Sequence, residues 1–163
     1  MDVEYREYDG KAERYAYINE QLDRILAETD DVYAALANTS ALFDLLMPRL
    51  NWAGFYLMKD GVLKLGPFQG KPAVARIELG AGVCGTAAAE DAPQIVENVH
   101  TCCNHIACDA ASSSEIVVPI HAGGALFGVI DIDSPALANF DREDLAGLQQ
   151  SAERIGKFIE RLH

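Results

Sequence analysis

The sequence has few of the residues and patterns that mark several classes of protein. Its 163 residues include four cysteines, one tryptophan and only 13 basic residues against 25 acidic ones, so the formal net charge is −12. Four cysteines are too few for a disulfide scaffold, and no apolar run is long enough to span a bilayer. An excess of acid repels the phosphate backbone of nucleic acids. We therefore expect neither a membrane nor a nucleic acid as a partner.

The first fifteen residues, MDVEYREYDGKAERY, carry acids and tyrosines where a secretory signal needs an apolar run. This composition predicts a cytoplasmic protein with reduced thiols. The chain also has no internal repeat, linker or low-complexity tract, and its length is typical of one domain. We expect a single domain over residues 1–163.

The spacing of apolar residues predicts the order of helices and strands. Helical spacing predicts a helix that includes Tyr15, a second that ends before Pro48, and a last one capped by Asp141. Short apolar runs predict strands at residues 51–59, 61–66, 74–80 and 94–98. The two apolar runs around Gly123 and Gly124 predict an antiparallel hairpin. This order of elements is typical of an α+β fold.

Residues 100–109, HTCCNHIACD, combine three cysteines with two histidines. Zinc is one interpretation, but Cys102 and Cys103 are adjacent and lack the two-to-four-residue separation of structural zinc ligands. Buried small hydrophobic residues are another, and would suit one or two of these cysteines. The second interpretation suits Cys108 least, because this residue lies in a polar loop where His105 can lower the pKa of its thiol if the loop turns back on itself. Cys108 is therefore the candidate reactive thiol.

The fourth cysteine, Cys84, lies in GAGVCG, residues 80–85, which fits the dinucleotide-binding pattern G-x-G-x-x-G. That pattern needs a parallel sheet with alternating helices, whereas the strands here follow one another through hairpins. We therefore expect a tight turn into a helix. Near that helix's N-terminus, unpaired N–H groups favour the thiolate of Cys84.

Asp131 and Asp133 alternate with isoleucines, so an extended strand places both carboxylates on one face, roughly 6 to 7 Å apart. Acids on so apolar a strand are costly to bury unless a positive or hydrogen-bonding group meets them, so the face is either a ligand site or an outer face in solvent. Glu115 lies on the partner strand. A three-residue loop over 122–124 places it opposite Asp131, and a two-residue loop places it on the other face.

Five segments together resemble the free methionine-(R)-sulfoxide reductases, small enzymes built on a GAF domain: NWAGFYL, PFQGKPAVARI, GVCGTAA, HIACDAASSSEIVVPI and GVIDIDS. The similarity covers nearly the whole chain. It implies an antiparallel sheet with helices packed on one side and a loop covering a small-molecule pocket. It also implies reduction of free L-methionine-(R)-sulfoxide to methionine, and we expect no cofactor and no metal.

Position by position, the resemblance makes Cys108 the nucleophile and Cys84 a second family cysteine. Attack on the sulfoxide leaves a sulfenic acid, which a second thiol converts to a disulfide that a thioredoxin-like protein reduces. The family often has a third, resolving cysteine within GKPAxxRI, where this chain has Val74. We expect Cys102 or Cys103 to resolve instead, with Cys84 as the alternative.

The resemblance also assigns the substrate-binding residues. Trp52 and Tyr56 match the aromatic wall of the family's pocket, and Glu115, Asp131 and Asp133 match its acids. The substrate's ammonium group, apolar stem and S=O group require carboxylates, aromatic surface and a proton source, and one buried acid with a raised pKa can supply the proton. Family members often form homodimers, which we expect here. The alternatives are a GAF sensor that binds a ligand without turnover, and a zinc-binding interaction domain.

Overall fold

The computed structural model describes residues 1–101 and 111–163. The elements in this part of the chain are α1 (Lys11–Ala27), α2 (Val32–Leu46), β1 (Trp52–Lys59), β2 (Val62–Gly70), β3 (Arg76–Ile77), α3 (Gly82–Glu90), β4 (Gln94–Val96), a 3-10 helix (Val99–Thr101), β5 (Ser114–Ala122), β6 (Ala125–Ser134) and α4 (Arg142–Arg161). They match the predicted order, although the strand predicted at 74–80 is only two residues long because it pairs with β2 only at Leu63 and Lys64. None of the helices described combines the length and apolar character that crossing a bilayer requires.

The six strands form one sheet in the order β3-β2-β1-β6-β5-β4. Each neighbouring pair is antiparallel. The predicted α+β fold with an antiparallel sheet is confirmed, and among the strands of residues 1–101 and 111–163 there are no parallel pairs of the kind that dinucleotide binding by GAGVCG would need.

The sheet has two faces with different coverings. Because side chains alternate along β1, Phe55 points to a large core shared with α1, α2 and α4, while Trp52 and Tyr56 point to a smaller core shared with α3. The three long helices therefore pack on one side, as predicted, and the short α3 covers the other. The predicted site residues of β1, β5 and β6 lie on the face that α3 covers.

A buried acid joins the first helix to the last. Asp141 caps α4 and forms a reciprocal capping box with Asp144. The Asp144 carboxylate also accepts hydrogen bonds from Tyr15 Oη at 2.8 Å and Lys11 Nζ at 2.6 Å. The predicted cap at Asp141 is confirmed, and Asp144 is a buried carboxylate with a full set of structural partners.

Candidate active site

The turn between β5 and β6 determines which side chains of the two strands face each other. Gly123 and Gly124 form a two-residue turn with φ values of +60° and +78°, and Ala122 pairs with Ala125. Left-handed backbone at both central residues requires glycine and fits the twist of an antiparallel pair. Such a turn, continued in regular register, would put Glu115 on the face away from the two aspartates.

A β-bulge next to the turn changes this outcome. The register shifts after Ile120, because β6 contributes one extra residue there. Glu115 therefore lies directly opposite Asp133. The three-residue loop that would have paired Glu115 with Asp131 does not form, and Val117 takes that position. The bulge returns Glu115 to the face of the two aspartates, so neither register considered from the sequence was right.

The three acids are buried. Their exposed fractions are 5% for Glu115, 1% for Asp131 and 3% for Asp133, which excludes an outer sheet face in solvent. Burial, with a contribution from the charge on Asp133, raises the pKa of Glu115 well above its usual range. Burial and the charge on Glu115 do the same to the pKa of Asp131. A carboxyl group with a raised pKa keeps its proton to a higher pH than an exposed one and can donate it.

Cys84 faces the same acids from α3. It is buried, and its Sγ lies 4.0 Å from Oε1 of Glu115. Burial raises the pKa of its thiol well above the usual value, and the charges of Asp131 and Glu115 add to that shift. The expectation that the helix N-terminus favours the Cys84 thiolate is therefore wrong, because desolvation and neighbouring carboxylates outweigh the helix N–H groups.

The glycine pattern around Cys84 has a packing role. A Cβ on Gly85 would lie 2.5 Å from the carbonyl oxygen of Glu78. The chain turns back on itself so closely at the start of α3 that only glycine fits at Gly85. The predicted turn into a helix is confirmed for residues 80–85.

Two of the predicted binding residues form an aromatic stack on this face. Trp52 and Tyr56 are fully buried, and their ring centroids are 5.9 Å apart with an interplanar angle of 21°. Trp52 Nε1 donates to the Lys71 carbonyl at 3.1 Å, and Tyr56 Oη donates to the Val74 carbonyl at 2.9 Å. Both rings therefore anchor the segment between β2 and β3.

Phe68 extends this stack and was missed in the sequence. Its ring centroid lies 5.1 Å from that of Trp52, with an interplanar angle of 14°. The available signal was its place within the PFQGKPAVARI motif, since nothing in the periodicity of β2 distinguishes it from an ordinary core residue.

The predicted thiols Cys102, Cys103 and Cys108, together with His105, lie outside the described residues. The described flanks of their segment are held close together. Val99 N–H donates to the Ser113 carbonyl at 2.8 Å, and Ser113 N–H donates to the Ser134 carbonyl at 2.7 Å. Residues 99 and 113 therefore lie beside the ends of β5 and β6 that carry Glu115 and Asp133. Whether a loop covers the site stays a prediction.

The profile of the GAF domain family matches residues 40–160. A free methionine-R-sulfoxide reductase from Escherichia coli (strain K12) is 48% identical over 150 residues, covering 92% of this chain and 91% of that protein. A protein of the same name from Saccharomyces cerevisiae is 45% identical over 130 residues, covering 75% of this chain and 72% of its own length. The structure of free methionine-R-sulfoxide reductase from Neisseria meningitidis in complex with its substrate matches with a TM-score of 0.93 at 38% identity, covering 98% of this chain and 96% of that one. The fold, the profile and these relatives show that the chain belongs to the GAF domain family, among the free methionine-R-sulfoxide reductases.

Proposed function

We propose that this protein reduces free L-methionine-(R)-sulfoxide to L-methionine, the activity that the names of its relatives state. The proposal rests on one observation: the aromatic stack and the buried acids lie next to each other on the same face of the sheet. Trp52 lies directly opposite Asp133 in the pairing of β1 with β6, so an apolar wall and a carboxylate are immediate neighbours. The preference for the R epimer rests on the relatives.

The chemistry of the substrate matches these groups. Free methionine sulfoxide carries an ammonium group, which carboxylates bind, and an apolar stem with a methyl group, which aromatic rings bind. The sulfoxide oxygen must gain a proton as the S–O bond weakens. The raised pKa of Glu115 and of Asp131, caused first by burial, makes either acid a suitable proton donor. We assign substrate binding to Trp52, Tyr56 and the three acids.

Cys108 is the proposed nucleophile. Its thiolate attacks the sulfoxide sulfur, the oxygen passes to the cysteine as a sulfenic acid, and methionine leaves as the reduced product. Its short distance along the chain from the described residues that begin at Ala111 supports this role. Cys108 is three positions before Ala111, a reach of at most about 11 Å. The neighbouring Ser112 is buried and accepts a hydrogen bond from Asn51 Nδ2 at 2.9 Å, which fixes the segment's end near the acids.

A second thiol must then condense with the sulfenic acid, releasing water and forming a disulfide. Cys84 is poorly suited to this step, because burial and nearby acids raise its pKa and so lower its thiolate fraction. We retain Cys102 or Cys103 as the resolving thiol, without a preference between them. An external dithiol protein of the thioredoxin type then reduces the disulfide and restores both thiols.

The test is turnover of the separate epimers. Purified protein is incubated with free R- or S-methionine sulfoxide and a dithiol reductant, and methionine is quantified by chromatography. We expect methionine from the R epimer only. Binding of the sulfoxide with no methionine from either epimer would refute the enzyme and favour the GAF sensor.

We further propose that residues 1–163 act as one GAF-like domain. The contacts of α1 with α4 through Asp144 support this proposal.

We also propose that two copies form a homodimer and that the protein works in the cytoplasm, where its thiols stay reduced. Light scattering of the purified chain tests the homodimer, because a dimer has twice the 17.7 kDa mass of the chain.

A further inference from the structure

Three potential metal ligands converge where α3 packs on the sheet. Cys84, Glu115 and Asp131 each offer one ligand atom, and these three atoms lie within 4.8 Å of one another. All three residues are buried. They come from α3, β5 and β6, so three packed elements hold them. We propose that this cluster is a binding site for a thiophilic divalent cation such as Zn²⁺ or Cd²⁺.

The distances suit such an ion. Zinc binds cysteine sulfur at about 2.3 Å and carboxylate oxygen at about 2.0 to 2.2 Å, so tetrahedral ligands lie roughly 3.4 to 3.6 Å apart. The Sγ of Cys84 is already 4.0 Å from Oε1 of Glu115. Small rotations of the side chains, moving their ends by about 1 Å, bring the three atoms into this geometry. One thiolate with two carboxylates leaves a fourth position open for water or another ligand.

A second observation points to a ligand at this place. Oδ1 of Asp131 is buried and has no hydrogen-bond partner among residues 1–101 and 111–163. Asp131 lines a cavity of about 10 Å³ together with Cys84, Glu115 and residues 81–83. An orphaned carboxylate oxygen beside a thiol and a second acid is a set of donors that lacks a positive charge. A divalent cation supplies that charge and displaces the protons of the thiol and carboxyl groups to solvent, and the space suits a single ion or water.

This site differs from the zinc site that the sequence allows in residues 100–109, because its thiol is Cys84, which lies outside that stretch. Its existence does not depend on the proposed reaction. Where the proposed function holds, the ion competes with substrate, because Glu115 and Asp131 are shared between the two. The cluster then makes the reductase sensitive to thiophilic metals through a cysteine other than the nucleophile.

The experiment isolates Cys84 as the single thiol. A full-length variant with Cys102→Ser, Cys103→Ser and Cys108→Ser is reduced, freed of metal and checked for folding by circular dichroism. Cd²⁺ is then added while the ultraviolet charge-transfer absorption of a cadmium–thiolate bond is followed, and Zn²⁺ binding is measured by calorimetry. We expect one Cd²⁺ per chain with that absorption. Adding Asp131→Asn should weaken Zn²⁺ binding at least about tenfold.

The matched control is Asp144→Asn in the same background, since Asp144 is equally buried but remote from the cluster. It should leave metal binding unchanged, and if it fails to fold, the exposed Asp44 is replaced by Asn in its place. Absence of the cadmium–thiolate absorption, or unchanged Zn²⁺ affinity with Asp131→Asn, overturns the proposal. Loss of a single Cd²⁺ equivalent on Cys84→Ser in the otherwise unaltered chain supports it. These assays contain no sulfoxide, so their failure is distinct from failure of the proposed reductase.

Discussion

Asp131→Asn should make the protein more stable at neutral and alkaline pH. The carboxylate is 1% exposed, and its Oδ1 lacks a hydrogen-bond partner among the described residues. Burial and the charge on Glu115 raise its pKa in the folded protein. A carboxyl group with a raised folded pKa destabilises the fold as pH rises from about 4, the value in unfolded chains, through that raised pKa. The neutral amide removes this loss.

The size of the gain follows from the charge, because asparagine keeps a polar atom in the same buried place. A buried polar atom without a partner costs about 1 to 3 kcal/mol, and more when the group is charged, so only the extra cost of the charge is removed. We therefore expect Asp131→Asn to raise the free energy of unfolding by about 1 kcal/mol at pH 8, or about 2 to 4 °C in Tm for each kcal/mol. At pH 5 the difference should be smaller, because the loss that the native acid suffers grows as pH rises from about 4. Urea unfolding, followed by the fluorescence of Trp52, the only tryptophan, measures the free energy of unfolding at pH 8 and at pH 5.

Asp144→Asn provides a matched control with the opposite sign. Asp144 is 2% exposed, but it accepts hydrogen bonds from Tyr15, Lys11 and the Asp141 backbone. Its amide loses charge-assisted bonds, at a cost of about 1.5 to 3 kcal/mol. If Asp131→Asn at pH 8 were destabilised as much as Asp144→Asn, Asp131 would be a structural residue and its proposed orientation toward a ligand would be wrong.

Three further predictions concern the proposed reaction. Cys108→Ser should abolish methionine formation from the R epimer while the circular dichroism spectrum stays unchanged, because an alcohol is a poor nucleophile toward sulfur. Glu115→Gln, Asp131→Asn and Asp133→Asn should each raise KM, lower kcat or both, with kcat/KM reduced by about 100-fold or more for whichever of Glu115 and Asp131 donates the proton. Protein oxidised with one equivalent of substrate should contain a disulfide from Cys108 to Cys102 or Cys103, as mapped by mass spectrometry after digestion without reductant.

Each of these three predictions can be contradicted by a specific result. Sustained turnover by the serine variant would show that Cys108 is not the nucleophile. Wild-type kinetics for all three amides would show that the acids are not part of the site. A peptide linking Cys84 to Cys108, or sulfenic acid that persists without any intramolecular link, would show that the loop cysteines do not resolve the intermediate.

The sequence by itself determined the features that depend on local geometry. Helical and strand periodicity predicted α1, α2, α4 and the hairpin, since side-chain direction repeats with the period of each element. The alternation of side chains along a strand also predicted that Asp131 and Asp133 share one face of their strand. It predicted the same of Trp52 and Tyr56 on theirs. Asp141 was predictable as a cap because capping involves only the next three residues.

Only the tertiary structure decided how these pieces meet. The bulge after Ile120 moved Glu115 opposite Asp133, and a shift of one residue is decided by packing along the whole strand pair. The burial of the acids by α3, and with it the raised pKa of Cys84, depends on segments distant in sequence. The helix N-terminus visible in the sequence predicted the opposite shift, because desolvation exists only once the core has formed.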